Sequence, residues 1–129
     1  MIYMTRPEFE QLVAEGLKQI PEKFLKELNN VSIVIEDFPN DYQRRKLRLR
    51  GHQSLFGLYE GLPLSKRQAS HYSGVMPDKI TIFQQVIEYF APSPEAVKKL
   101  VADTVWHEIG HHFGMSETEV RAAEMRRKQ

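Results

Sequence analysis

The chain contains no cysteine. This excludes a disulfide framework, a cysteine nucleophile and any thiolate metal site, so a metal held here must take histidine and carboxylate ligands. No stretch approaches the roughly 18 consecutive apolar residues of a membrane span. The first residues carry Arg6, Glu8 and Glu10 rather than a basic segment followed by an apolar one. The expectation is a soluble, cytoplasmic protein with no membrane partner. Nor is there a segment to serve as a propeptide, so a hydrolase of this kind would be restrained by something else, such as a narrow substrate range. An excess of charge of one sign is also missing. Eighteen Lys and Arg stand against seventeen Asp and Glu, a formal net charge of +1, too little to point to nucleic acid or an acidic membrane. Repeats and low-complexity segments are absent.

What remains is 129 residues of ordinary globular composition, 41% hydrophobic and 27% charged, which predicts one domain over residues 1–129 with a modest core. Phe9, Leu12, Val13, Gly16, Leu17 and Ile20 recur at helical spacing behind Thr5, an N-cap residue, and Pro7. They predict an amphipathic helix over 7–19 that ends before Pro21. A helical turn through Phe24 and Leu28 should lead into a strand over 31–36, whose β-branched run reads as buried and central. Residues 39–54 form a polar connection that holds either a short helix or a strand edge. It carries the basic cluster Arg44, Arg45, Lys46, Arg48 and Arg50, which reads first as a solvated loop. LFGLYE over 55–60 and KITIF over 79–83 read as strands, with turns at Gly61 and Pro63 and at Pro77 and Asp78, and a short helix should follow over 84–90.

Ser93, Pro94 and Glu95 form a helix start, with Ser93 at the N-cap, proline at the first helical position and a carboxylate in the first turn. The helix should run to about residue 113. Its twenty residues would span roughly 30 Å, the length of such a domain. On it lies His107-Glu108-Ile109-Gly110-His111, an HExxH motif, followed by Gly114 and Glu117 to give HExxHxxGxxE. Residues i and i+4 project from one helical face, so His107 and His111 can aim ring nitrogens at one ion, each about 2.0 to 2.1 Å away. Glu108 is placed as general base toward a metal-bound water. Gly114 can end the helix in the left-handed conformation and let the chain double back, so that Glu117, six positions after His111, reaches the metal as third ligand.

Two other readings of this segment stay open. Ser116 and Glu119 make a capping box for a further helix over 117–125, in which Glu117 would be a first-turn carboxylate, and Glu124 is a rival ligand. Val97, Leu100, Val101, Thr104, His107, Glu108 and His111 fall on related rows of one face, which turns the histidine pair inward. With this composition an HExxH arises by chance in about 2% of such chains, and the added glycine and acidic residue lower that to roughly one in several thousand. A merely charged amphipathic helix is therefore the weaker explanation. His112 points away from its neighbour by about 100°, and His52 and His71 fall in loops where a surface role is the plainer reading. Trp106 reads as core. Tyr59 and Glu60 end a strand where either can back up the site, although packing is the simpler role for the tyrosine. Asp103, one turn before His107, is a second acceptor for a ligand imidazole.

The motif resembles that of the zincin metallopeptidases, in which HExxHxxG is the metzincin form. The chain as a whole is similar to a family of short bacterial zincin-like proteins with an HExGHxxGxxE/D motif, through LFGLYEGLPL, ITIFQ and DTVWHEIGHHFGMSETEV. The resemblance implies an α+β fold with a small mixed sheet of about three strands packed against a long active-site helix, flanked by N-terminal and C-terminal helices. It implies one Zn2+ per chain on His107, His111 and Glu117, with Glu108 as catalytic base. The chain departs from metzincins in having only 12 residues after Glu117, too few for a Met-turn subdomain, and from the thermolysin-like branch in lacking its distant glutamate.

The expected activity is hydrolysis of a peptide or protein substrate. A metal-dependent endoribonuclease with an H-x3-H-x5-H site is a rival, opposed by Glu108 and Glu117 and favoured weakly by the Arg44 to Arg50 cluster. A non-catalytic metal-stabilised module is a third reading, opposed by having three evident ligands where structural zinc is normally closed by four. Elemental analysis should find about one zinc per purified chain, most of it lost in Glu117→Ala and kept in Glu124→Ala; the opposite pattern would move the third ligand to Glu124.

Overall fold

The computed structural model describes residues 1–22, 31–49, 56–61 and 78–112. The turn expected through Phe24 and Leu28, the loops holding His52 and His71, and the helix expected over 117–125 lie outside these residues. Helix α1 spans Arg6–Leu17 and starts with a reciprocal capping box. The Glu8 backbone N–H donates to Thr5 Oγ1 (3.2 Å), and the Thr5 N–H donates back to Glu8 Oε1 (3.0 Å). The Thr5 N–H, and after it the Thr5 hydroxyl, hold the Glu8 carboxyl below the usual carboxylate range. This exposed cap is therefore at full strength above that range and weakens as the pH falls through it. The helix stops at Leu17, ahead of Pro21, because the chain tightens into i→i−3 bonds from Gln19 to Gly16 and from Ile20 to Leu17.

Three strands follow as β1 (Val31–Glu36), β2 (Gly57–Glu60) and β3 (Asp78–Phe83). Their order is β1-β3-β2, with β1 parallel and β2 antiparallel to β3. The run over 31–36, read from sequence as buried and central, lies at a margin of this sheet and is mostly half-buried. β3 takes the middle position, with Ile80 and Ile82 fully buried. A β-branched run marks a pleated surface, but its place in the sheet is decided by which strand has two partners.

The described part of the basic connection after β1 is a helix, α2 (Asp41–Leu49), the first of the two structures expected for it, and its basic residues lie on that helix rather than in a solvated loop. Asn40 and Gln43 cap it reciprocally: Gln43 N–H donates to Asn40 Oδ1 (2.8 Å), and Asn40 N–H donates to Gln43 Oε1 (2.9 Å). Gln43 is buried and its Nε2 also donates to Glu60 Oε1 (3.3 Å), fastening α2 to the end of β2.

Helix α3 (Gln84–Phe90) follows β3 directly, and α4 (Pro94–His112) spans the domain. Ser93 caps α4 as its sequence position requires, with Oγ accepting from Ala96 N–H (3.2 Å). The main core gathers Phe9 and Val13 of α1, Tyr59 of β2, Ile80 and Ile82 of β3, and Val97, Val101, Val105 and Ile109 of α4. Those four α4 residues repeat every fourth position, so one stripe faces inward along most of the helix. Lys98 joins α1 to α4 by pairing with Glu15 (3.4 Å) and Glu95 (3.1 Å).

The approach of α4 to β2 is very close at Gly57. A Cβ there would lie 2.5 Å from Thr104 Cγ2 and 2.9 Å from the Thr81 carbonyl oxygen, and the second of these is backbone that cannot swing aside. Gly57→Ala should therefore destabilise the protein by about 2 kcal/mol in urea unfolding; an unchanged midpoint would show that the strand and helix have room to separate.

Candidate metal centre

From Gly57 to Tyr59 the β2 backbone advances about 6.8 Å, and from Thr104 to Glu108 the α4 axis advances about 6 Å. The two elements therefore stay in step, and contact at Gly57 and Thr104 is followed by contact at Tyr59 and Glu108. The Tyr59 backbone N–H donates to Glu108 Oε1 at 2.7 Å. Because Phe83 N–H donates to the Phe56 carbonyl, alternate residues of β2 face β3, and Tyr59 belongs to the other set, with its N–H on the outer margin. Glu108 is fully buried. A buried carboxylate is costly unless hydrogen-bonded, and a short charge-assisted bond from a backbone amide is among the stronger answers to that cost.

The Tyr59 side chain is fastened as well. Its hydroxyl donates to Asp78 Oδ2 at 2.7 Å, and both residues are fully buried. Gly61, with φ +155°, covers the same carboxylate so closely that a Cβ at this position would collide with Asp78. The glycine expected for a turn is thus needed twice, for its backbone angle and for the lack of a side chain. Asp78 was read from sequence only as a turn residue beside Pro77. The usable signal is an acidic residue opening a strand that, Lys79 apart, is apolar or β-branched.

Glu60, weighed from sequence as support for the site, is half-buried, and its carboxylate meets Gln43 (3.3 Å) and Lys79 (3.9 Å). Tyr59 does take part, but through its main chain. Trp106 is half-buried against the core. His107 and Asp103 are also half-buried, whereas Glu108 is fully buried. His111 lies on α4 four residues after His107, and the helix ends its described course at His112. Gly114, Ser116, Glu117, Glu119 and Glu124 lie outside the described residues. Among the described residues no three histidine, aspartate or glutamate side chains converge on one point.

The residue types of α4 suit zinc: histidines at positions one helical turn apart, beside a carboxylate held by the neighbouring strand. A helix carrying an HExxH segment against the margin of a small mixed sheet defines a metallopeptidase-type architecture. The chain belongs to the zincin-like metallopeptidase family, whose sequence profile matches residues 28–127. None of the curated proteins compared with the chain matches it. No helix among the described residues is long and apolar enough to cross a membrane.

The Tyr59 and Asp78 pair generates a stability test. Asp78→Ala should cost about 2 kcal/mol, since the phenol would keep no carboxylate acceptor in a buried position. Added to Tyr59→Phe it should cost at least about 1 kcal/mol less than the sum of the single variants. Strict additivity in urea unfolding would show that the two groups do not depend on each other.

Proposed function

We propose that the protein is a zinc-dependent peptidase that hydrolyses amide bonds of a peptide or protein substrate, with one zinc per chain. The observation that carries this reading is the buried Glu108 carboxylate, next to His107 and fastened by the Tyr59 N–H, in a chain of the zincin-like metallopeptidase family. His107 and His111 would hold the metal, with Glu117 as the third ligand. Bound zinc would supply a Lewis acid that polarises the scissile carbonyl and acidifies water.

The protein's own residues then handle the proton. Glu108 takes it from the attacking water and delivers it to the departing amine nitrogen, so one carboxylate serves as base and then as acid. The Tyr59 N–H limits the carboxylate to one orientation, which removes rotational searching from the transfer. Asp78 and Gly61 act at one remove, by holding Tyr59 and the end of β2 in place.

Glu108→Gln preserves the shape and still offers Tyr59 an oxygen acceptor, so fold and zinc content should be unchanged. Hydrolysis of a quenched-fluorescent peptide library should fall by at least about 100-fold. Surviving activity would remove Glu108 from the role of base. His111→Ala should lose both the zinc and the hydrolysis, and stoichiometric metal in that variant would overturn the ligand assignment.

A further inference from the structure

The large apolar side chains that stand exposed among the described residues are Met1, Tyr3, Phe38, Tyr42, Tyr89 and Phe90. All but Tyr42 line one groove of about 690 Å3. Scattered exposed apolar residues are normal, but a cluster of this kind marks an interaction site. The walls are firmly built. Ile2 N–H donates to the Glu88 carbonyl (3.0 Å) and Met4 N–H to Glu88 Oε2 (3.2 Å), strapping the N-terminal segment to α3. Gln84 Nε2 ties the two again, donating to the Met4 carbonyl (3.1 Å) and to Glu88 Oε2 (2.9 Å). Phe90 stacks edge-on against both Tyr89 (5.0 Å) and Phe56 (5.6 Å).

The charge around the groove is one-sided. Its carboxylate, Glu88, is buried and already accepts two donors. Asp37 nearby is taken by Arg6 at 2.7 Å. The charged group presented on the rim is Arg44 of α2, whose approach to Asp41 is loose and exposed at 3.8 Å. Helix α2 continues with Arg45, Lys46 and Arg48, four basic residues against the single acid Asp41.

We propose that this groove is a docking site for a protein segment that presents an aromatic or aliphatic anchor flanked by carboxylates. Tyr3, Phe38, Tyr89 and Phe90 provide large contact area at low cost in side-chain freedom, and Arg44 matches a carboxylate in both charge and fork geometry. A second copy of the chain fits less well, because isologous contact through this patch would bring two basic α2 helices together. The groove is lined by the N-terminal segment, residues 38–44 and α3, with no residue of α4 among its walls. The proposal concerns binding alone and does not depend on hydrolysis.

The test uses the full chain and a fluorescein-labelled peptide of about a dozen residues, a Trp-Leu pair with Asp and Glu on both sides. Fluorescence anisotropy should show saturable binding. The affinity should fall about tenfold in Tyr89→Ser and in Arg44→Glu, and fall again between roughly 50 and 300 mM salt. Tyr89 is 62% exposed and Arg44 is exposed, so both variants should keep the wild-type circular dichroism. The proposal is overturned by absence of saturable binding up to millimolar peptide, or by equal binding of a lysine-substituted peptide. It is also overturned by tighter binding of a uridine oligonucleotide, or by a concentration-dependent dimer in sedimentation that Tyr89→Ser abolishes.

Discussion

The 2.7 Å bond from the Tyr59 N–H to Glu108 is the constraint around which the site is arranged. A carboxylate buried on the inner side of a helix requires a donor, and the nearest elements carry mainly hydrocarbon: Ile80 and Ile82 of β3, and Val101 and Val105 of α4 itself. The donor is instead the margin of a strand whose alternate amides point away from β3. For it to reach Glu108, β2 must run beside α4 in step with it, and it does so because Gly57 permits contact at Thr104 one helical turn earlier. Asp78 and Gly61 then fix the strand beyond Tyr59. These residues are scattered over some fifty positions of the chain, and they serve a single hydrogen bond.

The order of the elements follows from the same requirement. β3 occupies the middle of the sheet, and its register sets the heights of both β1 and β2. The continuous segment from β3 through α3 to α4 then supplies both the central strand and the helix that carries Glu108, so the carboxylate and the strand that positions its donor are set from adjacent stretches of sequence. α1 packs along α4, joined by Phe9 and Val13 in the shared core and by Lys98 at the surface.

Much of this was legible in the residues. The capping signals at Thr5 and at Ser93-Pro94 located two helices within a residue or two, because caps are local chemistry. The HExxH segment and its place on a long helix were equally plain. The position of 31–36 at a sheet margin was not, since burial there depends on strands far away in the chain. The basic stretch leaves a short helix and a strand edge both open in sequence, and the Asn40 and Gln43 capping pair three residues apart is the local chemistry that decides for the helix. The role of the Tyr59 main chain could not have been read at all, because a backbone amide is the same at every residue and only the fold decides which one meets a carboxylate. Asp78 is intermediate: its burial beneath Gly61 comes from tertiary packing, but an acid opening a largely apolar or β-branched strand is visible in the sequence.

The sheet described here has two margins, and each is occupied by a side chain from a helix. Glu108 takes an amide on β2, and at β1 the Arg6 guanidinium donates to the Ile35 carbonyl at 2.7 Å. A bare margin is a template on which strands of other chains can extend a sheet, and that is a common beginning of aggregation. In this protein a strand from outside would first have to displace a side chain hydrogen-bonded to the backbone at either side. The carboxylate assigned to proton transfer therefore also helps keep the sheet finite, and substitutions at Glu108 bear on solubility as well as on chemistry.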